Sequence, residues 1–372
     1  MKIRKIASIG LAAGLLAGLV AVASPASADP ITSGYAAVGS DTLQDSVNAL
    51  VNGTSVTGAS VRVTANGVAL GSFDAFGSAK IRTKGSGGYF TRPSGSGAGV
   101  NALLASMNGT LLNGETLTGQ VDIARSSSGP ATPNVNGVLI FVPFARDRVE
   151  YAYRVPASDT TCAAALASLT KAQLTALYSA PTPDTTLCPG QTITPRLPQS
   201  ASGTRKFFTG AIGVSNTTPG AAVPAGDNLA TGPQENTGGQ IADYQIIPFS
   251  AASWIAQSNG AAPNTIAADT NLHLGAINGT PAYTGTGSNL VASAAAYADT
   301  TFGRDTFLVA EYARVNSADP KYDAALATLL DATKGNSSLT SFATALAGQP
   351  GSVKAKFGFL APSTSVPQRS NS

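Results

Sequence analysis

The sequence predicts an α/β protein built in two parts, and three observations carry that expectation. Short apolar runs with strand character alternate with segments whose apolar residues recur at helical spacing. Roughly 340 residues follow the leader described below, more than one hydrophobic core usually serves. Three times a Ser/Gly loop opens a helix, twice directly after a strand, the arrangement found at the carboxyl ends of strands in open α/β sheets, where ligands bind. The composition agrees with a folded, turn-rich chain: 12% charged residues, 43% hydrophobic and 40 glycines. A net charge of +3 gives no electrostatic footprint for nucleic acid.

The chain starts with Lys2, Arg4 and Lys5, then an apolar run from Ile6 to Val22, then Ala26-Ser27-Ala28. This is the pattern of a secretory signal peptide covering 1–28, cut after Ala28. The run is too short for a permanent membrane span. No cysteine lies near the cut, so no lipid anchor is expected, and the chain is placed outside the cytoplasm, secreted or in the cell envelope.

Ile31 to Val38 reads as a strand that enters Gly39-Ser40-Asp41-Thr42. Thr42 and Asp45 have capping-box spacing, and Leu43, Val47, Leu50 and Val51 follow on one helical face. Residues 60–92 are short alternating segments with glycine turns. Ser94-Gly95-Ser96-Gly97-Ala98-Gly99 opens a second helix, which runs through Asn101 to Met107. Gln120 to Ala124 is a strand that ends in Arg125-Ser126-Ser127-Ser128. Val138 to Pro143 and Arg146 to Val155 read as two further strands. Ala163 to Tyr178 reads as helical. Residues 191–197 form a strand before Ser202-Gly203-Thr204, which opens a helix through Phe208 and Ile212. Residues 213–239, rich in Gly, Pro and Asn, are a long loop. Ile246 to Ser250 precedes a helix from Ala251 to Gln257; Thr306 to Ala313 is a strand; Tyr322 to Leu330 and Leu339 to Leu346 read as helices.

Cys162 and Cys188 are the only cysteines, and in an exported chain a lone pair forms a disulfide. With one histidine, His273, a zinc site of the usual kind is not expected, nor is any other metal or cofactor. A Ser-His-Asp triad would need His273, which sits in an apolar stretch. Ser168-Leu169-Thr170-Lys171 matches S-x-x-K without its companion Lys-Thr-Gly element. The chain is therefore read as a binding protein and not an enzyme.

The loops point to an anion. Glycine permits close backbone approach, and Ser or Thr at a helix start presents a hydroxyl beside unpaired N–H groups. The helix dipole favours negative charge at the same spot. An ordinary capped helix is the competing reading for each loop. For Asp41 the choice lies between capping the first helix and accepting a proton from a protonated anion, as phosphate offers and sulfate does not.

Gly39-Ser40-Asp41-Thr42, Gly95-Ser96-Gly97-Ala98-Gly99, Asp122-Ile123-Ala124-Arg125-Ser126-Ser127 and Ser202-Gly203-Thr204 occur in the order seen in phosphate-binding proteins of bacterial ABC importers, which this chain resembles. Leu169 to Tyr178 looks like a helix of that family's second lobe, and Phe357-Gly358-Phe359-Leu360 like its closing segment. The resemblance implies a two-lobed periplasmic-binding-protein-like fold, with residues 29–145 and 252–372 as one lobe and 146–251 as the other, hinged near 143–150 and 246–252. It implies phosphate or a related oxyanion in the cleft, bound by Ser40, Asp41, Thr42, Ser96, Ser126, Ser127, Ser202, Gly203 and Thr204, and an ABC importer membrane complex as partner. Two positions depart from the family pattern. Its carboxylate falls on Ser127 and its arginine on Pro198, leaving Arg125, Arg196 or Arg205 as replacements. The alternative function is an envelope protein of the same fold that binds another acidic ligand or a protein partner, without transport.

Overall fold

The structure is a computed structural model that describes residues 29, 31–229, 232–266 and 269–372; the leader read at 1–28 lies outside the described residues. Nine strands form one mixed sheet. They are β1 (Tyr35–Gly39), β2 (Leu70–Ser72), β3 (Ile123–Ser126), β4 (Leu139–Arg154), β5 (Thr194–Pro195), β6 (Gln245–Ser250), β7 (Leu272–Leu274), β8 (Gly303–Glu311) and β9 (Gln368–Ser370). The order is β2-β1-β3-β8-β4-β6-β5, with β7 and β9 also paired to β4. β1 is parallel to both β2 and β3, and β8 is antiparallel to β3 and β4.

β4 organises the molecule. Its first half, Leu139 to Arg148, pairs with β8, and its second half, Val149 to Arg154, pairs with β6. The sequence reading expected two strands here, Val138 to Pro143 and Arg146 to Val155. A single strand of 16 residues forms instead, because β8 pairs straight across the gap, Pro143 with Phe307 and Ala145 with Thr306, through a shift of register. Arg146 bonds Asp305 and the carbonyl of Tyr297, Asp147 bonds Arg304, and Arg148 bonds Glu150 and the carbonyl of Ala296.

Each half of β4 has its own core. Around the first half pack Leu43, Val47, Ile123, Phe144, Leu308, Phe357 and Phe359. Around the second pack Tyr151, Leu174, Tyr178, Phe208, Ile246 and Phe302. The helices that face the site are α1 (Gln44–Asn52), α2 (Ser96–Asn108) and, beyond α3 (Thr160–Leu166) and α4 (Lys171–Ser179), α5 (Gly203–Ile212). α6 (Ala251–Ser258) straddles the halves: Ala252 and Ala256 join the first core, whereas Trp254 and Ile255 pack with Ile247 and Phe249.

Two helices expected from the sequence take a different course. The segment from Ala163 to Tyr178 is two helices, because Thr170 starts α4 with a capping box to Gln173 and the Leu169 N–H donates to the Tyr151 hydroxyl. Leu339 to Leu346 is not helical. The carbonyl of Ser341 accepts from the buried ammonium of Lys354, and Ser338 Oγ takes the N–H of Thr340.

Cys162 and Cys188 form a disulfide across a sequence separation of 26, with both residues buried in the second core. Such a bond persists in oxidising, extracytoplasmic compartments. Replacing both cysteines by serine is expected to lower unfolding stability by roughly 3 kcal/mol on the loop-entropy scale, as measured by urea denaturation. Intact mass of the parent is expected to show two hydrogens missing.

Candidate functional site

Four chain segments meet between the two halves. The first is the turn after β1. Gly39 has a φ of 109°, and a Cβ there would run into the carbonyl of Arg125 and the Cα of Gly99, so only glycine lets β1, β3 and α2 come this close. Arg125 then locks the turn. Its buried guanidinium bonds the carbonyls of Ala37, Gly39, Ser40 and Phe73 and the hydroxyl of Ser72. Burial lowers its pKa to about 10, with Asp74, Asp41 and Asp45 opposing. Arg125 thus shapes the site without lining it.

The turn presents Ser40, Asp41 and Thr42, all buried. α1 starts one residue later than the capping-box spacing suggests: Leu43 is its N-cap and no side chain caps it. Thr42 turns inward instead, its Oγ1 3.3 Å from Thr204 Oγ1. The second and third segments are the α2 start and the residues after β3. Ser96 Oγ lies 3.1 Å from Ser127 Oγ and accepts the Ser127 N–H at 3.0 Å. The neighbouring Ser126 hydroxyl donates to the carbonyl of Ser128 at 2.6 Å, within its own loop.

The fourth segment is the start of α5. Ser202 is the N-cap and accepts the Arg205 N–H at 3.0 Å. A Cβ on Gly203 would overlap the hydroxyls of Ser96 and Ser127, so glycine brings the α5 N-terminus against the other half of the molecule. Thr204 Oγ1 accepts from Arg304 Nη2 at 2.9 Å. α5 begins here because Ser202 offers a hydroxyl to the first free N–H groups, while Phe208 and Ile212 fill the second core.

Arg304, at the start of β8, is the hub. Its Nη2 reaches Thr42 at 3.4 Å on one side and Thr204 at 2.9 Å on the other. Asp147 of β4 holds the guanidinium through Oδ2, at 3.1 Å from Nε and 2.8 Å from Nη2. Asp147 is itself held through Oδ1 by the Ser250 hydroxyl and the Ala252 N–H. The three arginines considered from the sequence are occupied elsewhere. Arg196 pairs with Asp227 at 2.7 Å, Arg205 bonds the carbonyls of Pro198, Asn216 and Asp227, and Arg125 serves the first turn.

Glu235 completes the cluster. It comes from the long loop after α5 and accepts the Ser202 hydroxyl at 2.9 Å. Burial first, and then the charge and hydrogen bond of Glu235, push the Asp41 carboxyl well above the usual carboxylate range. Among the described residues, four buried polar atoms of the cluster have no hydrogen-bond partner: Ser40 Oγ, Asp41 Oδ2, Glu235 Oε2 and Arg304 Nη1. Beside the cluster, Ser96, Ser202, Gly203 and Lys206 border a pocket of about 230 Å³ that also touches Val100, Pro130 and Phe141.

Sequence reasoning passed over Arg304, Asp147 and Glu235. Their common signal is charge in a chain with little of it. Asp147 interrupts an apolar strand, Arg304 opens one, and Glu235 is one of only two charged residues, with Asp227, in the loop 213–239. His273 lies apart in β7, opposite Tyr153, with its ring 5.2 Å from the Tyr153 ring and its pKa lowered by burial.

No family model matches the chain, and no curated protein sequence matches it. Similar solved structures include an ABC-type phosphate transport receptor from Vibrio cholerae, at 13% identity over 88% of this chain and 100% of that one, with a TM-score of 0.49. A human phosphate binding apolipoprotein is 15% identical over 88% of this chain and 91% of its own, with a TM-score of 0.48. A phosphate-binding protein from Stenotrophomonas maltophilia is 14% identical over 89% and 91%, with a TM-score of 0.46. Likenesses at this level transfer no ligand, and the site stands on its own atoms.

Arg304 and Asp147 are both buried, so removing one partner leaves a charge without compensation. Arg304→Met is expected to lower stability by about 3 kcal/mol or more in urea denaturation. The double variant Arg304→Met/Asp147→Asn is expected to recover part of that loss.

Proposed function

We propose that this chain is a solute-binding protein that holds inorganic phosphate, or a related protonated oxyanion, between its two halves and hands it to an ABC importer. One observation carries the reading. Hydroxyls from both halves and the N-terminus of α5 converge on a single buried guanidinium, which keeps one unpartnered nitrogen. Hydroxyl and N–H donors around a cation match the acceptors of a tetrahedral anion, and a helix start adds favourable potential. Ser40, Thr42, Ser96, Ser127, Ser202, Gly203 and Thr204 supply the donors; Arg304, oriented by Asp147, takes the place of the family arginine. Asp41 and Glu235 set the selectivity, because carboxyl oxygens beside an anion are tolerated when the ligand carries hydrogen. Phosphate does near neutral pH; sulfate does not.

In this reading the two halves close by bending around β4, near 143–150, and around the β6–α6 junction, near 246–252. The chain is exported with removal of residues 1–28, and it acts by binding rather than by catalysis. The pocket beside Ser96, Ser202 and Gly203 favours a second reading, in which the phosphoryl group belongs to a larger ligand whose substituent occupies that pocket.

Calorimetric titration tests both. Phosphate is expected to bind at least tenfold more tightly than sulfate. Ser96→Ala, Ser202→Ala and Thr204→Val are each expected to weaken phosphate binding roughly tenfold, the loss of one hydrogen bond to a charged group. Unchanged affinity in all three variants would remove the cleft as the site. Tighter binding of a phosphate monoester than of phosphate would favour the second reading.

A further inference from the structure

The cluster contains more acid than an anion site needs. Three buried carboxyl groups belong to it: Asp147 on Arg304, Glu235 on Ser202, and Asp41 next to Thr42. Asp147 is accounted for, since Arg304, Ser250 and Ala252 occupy it. Asp41 and Glu235 are not. They come from opposite sides of the cleft, Asp41 from the turn after β1 and Glu235 from the loop after α5, and the fold brings them together: Thr42, next to Asp41, meets Thr204 at 3.3 Å, and Glu235 holds Ser202 on the same turn at 2.9 Å. Asp41 Oδ2 and Glu235 Oε2 each lack a donor among the described residues. Two buried carboxylates placed side by side repel one another unless they share a hydrogen, and each has an oxygen free to take part.

We propose that Asp41 and Glu235 form a proton-sharing acid pair that bridges the cleft, with Asp41 donating to Glu235, and that capture of the anion is thereby linked to this proton. This deepens the phosphate reading and rests on it. With the proton in place, Asp41 is neutral, the two halves are joined, and the anion meets one negative charge fewer. Without it, two carboxylates face each other and the anion in a buried space, and the cleft is driven open.

The surroundings favour retention of the proton. From β3, Arg125 is the cation that feels Asp41, and it is shared with Asp45 and Asp74 and committed to backbone carbonyls. From β8 and β4, Arg304 is already paired with Asp147. On α5, Arg205 is committed to the carbonyls of Pro198, Asn216 and Asp227, and Lys206 borders the pocket outside the cluster. Further along the loop, Asp227 is paired with Arg196. Burial and the adjacent Glu235 raise the Asp41 carboxyl, so its contribution to the closed form is present at low pH and lost as pH rises through its folded-state value.

The test titrates inorganic phosphate into the parent and into Asp41→Asn at pH values from about 5.5 to about 8.5. Asparagine keeps an N–H donor towards Glu235 and does not titrate, and the ratio of the two affinities cancels the ionisation of phosphate itself. The parent is expected to lose at least tenfold in affinity relative to the variant across this range. Glu235→Gln is expected to show the same flattened profile and serves if Asp41→Asn does not fold. A merely structural pair would change affinity by one factor at every pH. A constant ratio with binding intact overturns the acid pair and leaves the phosphate reading standing. Absence of phosphate binding by the parent at every pH overturns both. Without any ligand, the thermal stability of the parent is expected to fall relative to Asp41→Asn as pH rises, and parallel profiles would overturn the pair.

Discussion

The ion pair of Arg304 with Asp147 sits where β8 and β4 run side by side at the midpoint of the long strand. Everything that defines the site is referred to it. Asp147 ties the guanidinium to the β6–α6 junction through Ser250 and Ala252, and the guanidinium in turn reaches Thr42 on one half and Thr204 on the other. A charge pair buried this completely is weak evidence for stability, because desolvation offsets much of its attraction. Its value is positional. It fixes one cation, with one nitrogen unpartnered among the described residues, at the place where the pairing of β4 passes from β8 to β6.

Around this pair the chain places glycine at its closest approaches. Gly39 and Gly203 bring backbone against backbone or against hydroxyls, so donors from four segments share one small volume. Rigidity is supplied behind them. Arg125 spends its donors on the carbonyls of the first turn, and Arg205 does the same for the turn before α5. The two arginines nearest in sequence to the loops are thus structural, and the one that faces the site comes from β8, which begins at Gly303, far beyond the end of α5 at Ile212. Acid is placed the same way, with Glu235 carried into the cluster by the long Gly/Pro/Asn-rich loop, between short 3-10 turns at Ala225–Asn228 and Gly238–Gln240.

Much of this was open to reading from the chain alone, for reasons that are local. Strands, helix starts and Ser/Gly turns are set by residues close together in sequence, which is why the turn after β1, the starts of α2 and α5 and the serines after β3 could be picked out as a group. The lone cysteine pair and the α/β alternation belong to the same category. What local pattern could not supply was the unbroken course of β4, from the run read as ending at Pro143 straight into Arg146, Asp147 and Arg148. Those charges are tolerated inside a strand only because Asp305, Arg304 and Glu150 lie beside them in the folded sheet. The same limit applied to Thr42, which has capping spacing with Asp45 yet turns to Thr204 instead, and to the choice of Arg304 over Arg125, Arg196 and Arg205. The sequence by itself determined which loops carry hydroxyls and free N–H groups. Only the tertiary structure decided which charges meet them, because the pairing of buried charges depends on partners distant along the chain, and burial makes the best-placed partner win.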